Sequence, residues 1–328
     1  MKTRVCTLLA IEHPVVLAGM GGSTNPQLVA AVSNAGGLGV LGCALHAPGD
    51  IPSVAAAIRD LTQRPFGLNL LLFMADDATV EAVLAARPPV LSSAWAWPEQ
   101  DLATLFARAH DVGAMVMHMV STVHEAHRAA ESGADVIVAQ GTEGGGHVGL
   151  MGTLVLVPQV VRAIAPVPVL AAGGVADGAG LAAALALGAE GVLLGTRFLA
   201  TPEAPLPESF KRAICASDGH DTLLTEIPDI AAGRVFPGAY LRVRRNRFIE
   251  EWIGREGELR RHRTEVAARV SRAREVGDVD AGALLLGQTA GLIDQIEPAG
   301  QIVERLVREA EDHLARCAAA VSAPAGQP

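Results

Sequence analysis

The chain has 328 residues and carries 26 Lys and Arg against 35 Asp and Glu, a formal charge of −9 at pH 7. Half of it is apolar, enough for a sizeable core, which excludes disorder as the main state. The acidic balance and the scarcity of aromatic residues (7 Phe, 3 Trp, 1 Tyr) exclude a protein built chiefly to hold DNA or RNA.

Near the N-terminus an apolar run is stopped by Glu12 before it reaches the length of a signal sequence. From there short apolar runs recur at residues 14–18, 38–41, 66–70, 89–91, 114–118, 136–139, 167–171 and 191–194. Alanine-rich stretches with helical spacing lie between them, as at 25–34, 51–63, 101–110, 124–132 and 180–187. A strand that is apolar throughout, not at alternate positions, is buried on both faces, as parallel strands joined by helical crossovers are. Eight such runs point to a closed (β/α)8 TIM barrel, the α/β class, because an open doubly wound sheet would use about five or six strands. The most apolar window, 181–200, does not read as a membrane span: Glu190 and Arg197 fall inside it and Gly188 lies near its middle.

Beyond Thr201 the pattern changes. Residues 204–221 are punctuated by proline and turn helical around 209–216. Residues 240–274 read as helical and dense in arginine, with Glu250, Glu251, Glu256, Glu258 and Glu265 interleaved as ion-pair partners on a solvated face. A last helix spans 301–321, ahead of a frayed tail at 324–328. The expected organisation is a barrel over residues 1–220 and a mostly helical C-terminal extension over residues 221–328, packed against the barrel mouth. Cys6, Cys43, Cys215 and Cys317 are scattered without paired spacing, which suits a reducing compartment. The expected location is cytoplasmic, with neither membrane nor nucleic acid among the partners.

Catalytic groups of such barrels come from the C-terminal ends of the strands. The seventh run ends in Ala171-Ala172-Gly173-Gly174-Val175 and the eighth in Leu194-Gly195-Thr196-Arg197. Glycines in both loops let backbone amides approach a ligand, and the helix starts that follow add unpaired N–H groups. Together they can bind a phosphate without a lysine. The sixth run leads into Gln140-Gly141-Thr142-Glu143-Gly144-Gly145-Gly146-His147, which lacks the Lys-Ser/Thr of a triphosphatase loop. It reads as a flexible or strained loop presenting His147 over the mouth, where an imidazole can take or give a proton near neutral pH. No other histidine stands at ligand spacing to it, so no metal is expected. Ala18-Gly19-Met20, at the end of the first run, makes a slim wall suited to a flat ring. Asn69 lies inside an apolar strand, where its amide must be satisfied by backbone or by a ligand.

Six segments in order (15–24, 33–39, 66–69, 139–147, 171–178 and 195–198) resemble the motifs of the nitronate monooxygenases, formerly 2-nitropropane dioxygenases, across residues 11–203. The resemblance implies FMN in the barrel mouth. Its phosphate would lie on Gly173, Gly174, Gly195 and Thr196, and its isoalloxazine along Ala18, Gly19 and Met20, with Asn69, Gln140, Gly145 and Gly146 close to it. It also implies that His147 takes the carbon proton of a neutral nitroalkane, or orients the nitronate, and that O2 completes the oxidation to a carbonyl compound and nitrite. The partners would be a small-molecule substrate and O2. Flavin-barrel enoyl-thioester reductases and NAD(P)H:quinone reductases share most of these motifs, so NAD(P)H-dependent reduction of an enoyl thioester or a quinone is the alternative. Three positions depart from the pattern. The proline that commonly precedes Met20 is absent, Gly144 replaces an Ala or Ser, and His118 stands where some relatives carry a lysine.

Overall fold

Eight parallel strands form one sheet in the computed structural model, which describes residues 1–322; the expected frayed tail at 324–328 lies outside the described residues. The strands are β1 (Val15–Leu17), β2 (Gly39–Gly42), β3 (Phe66–Leu71), β4 (Val90–Ala94), β5 (Met115–Val120), β6 (Val136–Gln140), β8 (Val169–Ala172) and β9 (Val192–Leu194). They pair in the order β1-β9-β8-β6-β5-β4-β3-β2. The two ends of this order then meet: Leu17 N donates to Leu38 O at 2.9 Å and Leu38 N donates to Val15 O at 3.0 Å, closing the barrel. β7 (Gly146–Val148) interrupts the count, because it belongs to a second sheet with β10 (Thr222–Thr225) and β11 (Tyr240–Arg244).

The crossover helices start where short polar side chains can take the first free amides. Asn25, Asp76, Asp101 and Asp177 each accept from the backbone three residues on, and Thr122 with Glu125 forms a reciprocal capping box. These helices bury their apolar stripes against the outward strand residues, such as Leu68, Val116 and Ile137. The inward residues, among them Val16, Leu38, Val40, Val90, Met117, Val136, Val138 and Leu170, fill the barrel itself. The helix Arg4–Leu8 closes the floor, since Val5, Cys6, Leu9 and Ile11 pack into that inner cluster. The N-terminal apolar run is therefore a plug, and among the described residues the open end is the one formed by the strand C-termini.

One stretch differs from the sequence reading. Residues 240–244 are a strand and not the start of a helix; the helices here are Arg247–Trp252 and Glu256–Val276. Ladder pairing with β10 and β7 outweighs the helical spacing, and it buries Leu241 and Val243 together with Arg242. The guanidinium of Arg242 is satisfied there, donating to Thr142 O at 2.9 Å and Thr222 Oγ1 at 3.2 Å.

The segment after the barrel divides in its packing. Leu284, Leu286, Ala290 and Ile293 join Leu206, Phe210 and Ile214 in an apolar cluster at the mouth. The last helix, Ala299–Ser322, instead lies along the outer wall against the helices Gly178–Ala186 and Pro26–Asn34, where Ile302, Val303 and Leu306 are fully buried.

Candidate active site

Side chains alternate across a strand, so one parity faces the barrel axis. Along that parity the floor is apolar (Val90, Met117, Val138) and turns polar at the C-terminal ends with Asn69, Ser92 and Gln140. Above them opens a cavity of about 260 Å³. Ala18, Gly19, Met20, Asn69, Gln140, Gly145, Gly146, His147, Gly173, Gly174, Gly195 and Thr196 all line it, so the structure brings these candidate residues to one place.

Their environments differ. Asn69 is satisfied by protein: its Nδ2 donates to Gly19 O at 3.3 Å and its Oδ1 accepts from Ser92 Oγ at 2.9 Å. Gly19 is needed at this contact, because a Cβ there would lie 2.3 Å from Asn69 Cβ. Gln140 is the opposite case. Its Oε1 is buried, in the cavity wall, and has no hydrogen-bond partner among the described residues. A buried amide oxygen left without a donor costs about 1–3 kcal/mol, which a ligand N–H or O–H would recover.

Gly173 and Gly174 are consecutive left-handed residues, φ +82° and +75°, and their amides donate to no protein acceptor among the described residues. Two successive amides turned the same way form an anion-binding concavity. The helix after this loop does not contribute as its sequence position suggested. Gly178 N donates to Glu309 Oε2 at 3.1 Å and Gly180 N to Asp177 Oδ1 at 2.8 Å, so that helix start is capped by carboxylates. Thr196 opens the short helix Thr196–Leu199, and its Oγ1 accepts from Gly287 N at 2.9 Å. Arg197 turns away from the cavity. Fully buried, it donates to Gln295 O at 2.8 Å and lies 3.5 Å from Glu297, and burial pulls its pKa below the usual guanidinium value.

The glycine loop is braced rather than flexible. Glu143 accepts from Thr153 N at 3.0 Å and Thr153 Oγ1 at 2.9 Å, Thr142 N donates to Met151 O at 2.8 Å, and β7 pairs with β11. His147 is thereby fixed on a strand opposite Leu241. Its Nε2 lies 3.0 and 3.1 Å from the two carboxylate oxygens of Asp229, and its ring stacks on Phe236 with centroids 3.2 Å apart and planes 10° off parallel. Asp229 and Phe236 escaped the sequence reading, as did Trp95, Arg234 and Arg274 in the same wall. Arg274 Nη2 donates to Ser23 Oγ at 3.0 Å and Gly22 O at 3.4 Å, and it forms no salt bridge among the described residues. Trp95 directly follows β4, whose apolar run reads from sequence as ending at residue 91; no spacing rule links the other four to the barrel loops.

His118 has the outward parity of β5. Its Nδ1 is 2.8 Å from Ser93 Oγ, its ring lies against Phe106, and burial pushes its pKa down to about 3. It is a neutral group of the layer between sheet and helices and does not reach the cavity.

With this geometry in place, the likeness to known proteins can be read. The Nitronate monooxygenase family model matches residues 2–79 and 73–309. A Mycobacterium tuberculosis protein named (3aS,4S,5R,7aS)-5-hydroxy-7a-methyl-1-oxo-octahydro-1H-indene-4-carboxyl-CoA dehydrogenase is 35% identical, over 98% of this chain and 99% of its own length. A probable nitronate monooxygenase of Staphylococcus aureus is 30% identical, over 94% of this chain and 97% of its own. The structure of FabK from Thermotoga maritima superposes with a TM-score of 0.88 at 35% identity, covering 97% of this chain and 99% of that one. The chain belongs to the nitronate monooxygenase family and, with it, to the oxidoreductases.

Proposed function

We propose that the chain is an FMN-dependent oxidoreductase of an acyl thioester, with His147 exchanging a proton at the carbon beside the carbonyl. Two observations fit the cofactor to these residues. The orphaned Oε1 of Gln140 offers an acceptor to a ring N–H, and the outward amides of Gly173 and Gly174 offer a seat to a phosphate. FMN suits this better than FAD, because no second nucleotide-binding fingerprint follows a strand in the sequence. When bound, the flavin would supply the redox chemistry. Gly173, Gly174, Gly195 and Thr196 would hold its phosphate, Ala18, Gly19 and Met20 would flank its ring, and Gly145 and Gly146 would let the backbone come close.

The observation that carries the reading is His147. One ring nitrogen is tied to Asp229, and the other has no protein partner in the cavity that Gln140 and the glycine cradle share. An imidazole so placed can move a proton on carbon and exclude water from that step together with Phe236, Trp95 and Met119. The thioester is favoured by Arg274, a cation in the cavity wall without a carboxylate, as the phosphates of a coenzyme A thioester would require. A relative named as a carboxyl-CoA dehydrogenase at 35% identity supports the same substrate class.

A second reading is oxidation of alkyl nitronates by O2. It is favoured by the likeness to probable nitronate monooxygenases and by the same free nitrogen of His147, which could take the carbon proton of a nitroalkane. Anaerobic mixing separates the two. Bleaching of the flavin by NADH or NADPH, reversed by an unsaturated acyl-CoA, or bleaching by a saturated acyl-CoA, is the result expected. Bleaching by an alkyl nitronate alone would transfer the assignment to the second reading, and no bleaching by any of them would remove both.

A further inference from the structure

We propose that Asp229 is a positioning residue that keeps the imidazole proton of His147 on Nε2 and so makes Nδ1 the atom that exchanges a proton with the ligand. A carboxylate can only accept, and both its oxygens lie within 3.1 Å of Nε2, so Nε2 is the protonated nitrogen. In the neutral ring Nδ1 then keeps its lone pair, and no donor or acceptor among the described residues occupies it. The step is complete in itself: the carbon-bound proton passes to Nδ1, the electron pair of the C–H bond stays on carbon, and the resulting imidazolium rests on Asp229.

Both partners are held by packed structure at the mouth. His147 is fixed by the register of β7 against β11, and Phe236 covers one face of its ring. Asp229 sits on the helix Ile227–Ala232, whose Ile227 and Ile230 pack with Val243, Phe248, Trp252 and Leu259 in a core separate from that of the barrel. The side chains of His147 and Asp229 are only 15% and 13% exposed, so their attraction is weakly screened. Other charged or titratable groups on the surrounding elements include Glu226 ahead of that helix, Arg234 on the loop after it, Tyr240, Arg242 and Arg244 on β11, and Arg263 against Gly233. None of them forms an ion pair with either partner among the described residues.

The assignment bears on the proposed function only through the role of His147, and nitrogen NMR tests it without substrate. In protein with 15N-labelled histidine and its flavin retained, the signals lost in His147→Gln identify the residue. The neutral ring should show a protonated Nε2 and a lone-pair Nδ1. Asp229→Asn should admit the Nδ1-protonated tautomer of the neutral ring. It should also lower kcat about 10- to 100-fold, less than loss of the base itself, with KM little changed. Asp229→Glu should restore part of both effects and serves as the probe if Asp229→Asn does not fold. A neutral His147 protonated on Nδ1, or an Asp229→Asn protein with unaltered tautomer and kcat, would overturn the proposal. The expected tautomer in a protein that turns over no thioester and no nitronate would leave this assignment standing and remove the proposed function.

Discussion

Gly287 packs against Gly145 with no room for a side chain on either: a Cβ on Gly145 would lie 2.4 Å from Gly287 N, and one on Gly287 would lie 2.8 Å from Gly145 N. The same segment donates from Gly287 N to Thr196 Oγ1 and from Gln288 N to Glu143 O, each at 2.9 Å. The loops after β6 and β9 are thus locked to one short stretch of the C-terminal extension. That stretch braces the site from outside the barrel.

Gly287→Ala should therefore strain backbone against backbone, with no flexible side chain to yield. The expected cost is about 1–3 kcal/mol of stability together with lower flavin retention. Gly257→Ala is the control, since nothing lies within 4 Å of its Cβ position in the helix Glu256–Val276. It should raise stability by about 0.5–1 kcal/mol and leave the flavin alone. Urea unfolding and flavin-to-protein absorbance ratios on both variants make the comparison, and equal behaviour would show that the bracing is incidental.

Gly174→Asp probes the cradle itself. A Cβ at this position would meet Glu143 Cβ and Thr153 Oγ1 only at 3.7 Å, ordinary contact distance, so the barrel should still fold. The strain of a positive φ, about 1–2 kcal/mol, is tolerable, but the carboxylate would point at the dianion of the cofactor. Purified wild-type protein should be yellow and release FMN on denaturation. The variant should be colourless with an unchanged far-ultraviolet circular dichroism spectrum. Full FMN occupancy in Gly174→Asp would place the phosphate elsewhere.

The barrel and its inward residues were legible because the signals are local. Continuous apolar strands mark both-face burial, and paired glycines at a strand end mark backbone in the left-handed region, as at Gly173 and Gly174. Asp229, Phe236 and Arg274 were not legible, for they reach the mouth through packing of distant segments that no periodicity encodes. Residues 240–244 misled for a related reason: Arg242 and Arg244 look like solvated helix positions until Thr142, Thr222 and Asp221 supply their partners. The helix start after Gly173 and Gly174 misled in the same way, since Glu309, which caps Gly178, lies on the last helix.

His118 gives the fold an acid limb. Burial holds its pKa at about 3 against an ordinary value of 6.5, so between these values the unfolded chain takes up a proton that the folded chain refuses. Its contribution to stability is complete above pH 6.5 and is lost as pH falls toward 3, at no more than about 1.4 kcal/mol per pH unit. His118→Gln cannot charge. It should start less stable at neutral pH, having lost the ring contact with Phe106, and then decline less steeply with acidification. Urea midpoints measured for both proteins across this range decide the matter, and parallel curves would mean that other groups set the acid limb.

His147→Asn distinguishes proton transfer from mere positioning. Loss of a general base costs about 10²–10⁴-fold, or roughly 3–5 kcal/mol, but only in a step that moves a proton. A neutral nitroalkane must lose its carbon proton before oxidation, whereas a preformed nitronate has already lost it; a saturated acyl thioester stands with the nitroalkane. Asparagine keeps a hydrogen-bond donor at the wall of the cavity and offers no base. The variant should thus nearly abolish turnover of nitroalkane and acyl thioester while sparing much of any turnover of the nitronate anion. Values of kcat/KM for each substrate on both proteins are the measurement. Because Asp229 and Phe236 hold the ring whether or not it acts as a base, equal losses on protonated and deprotonated substrates would reduce His147 to a structural part of the wall.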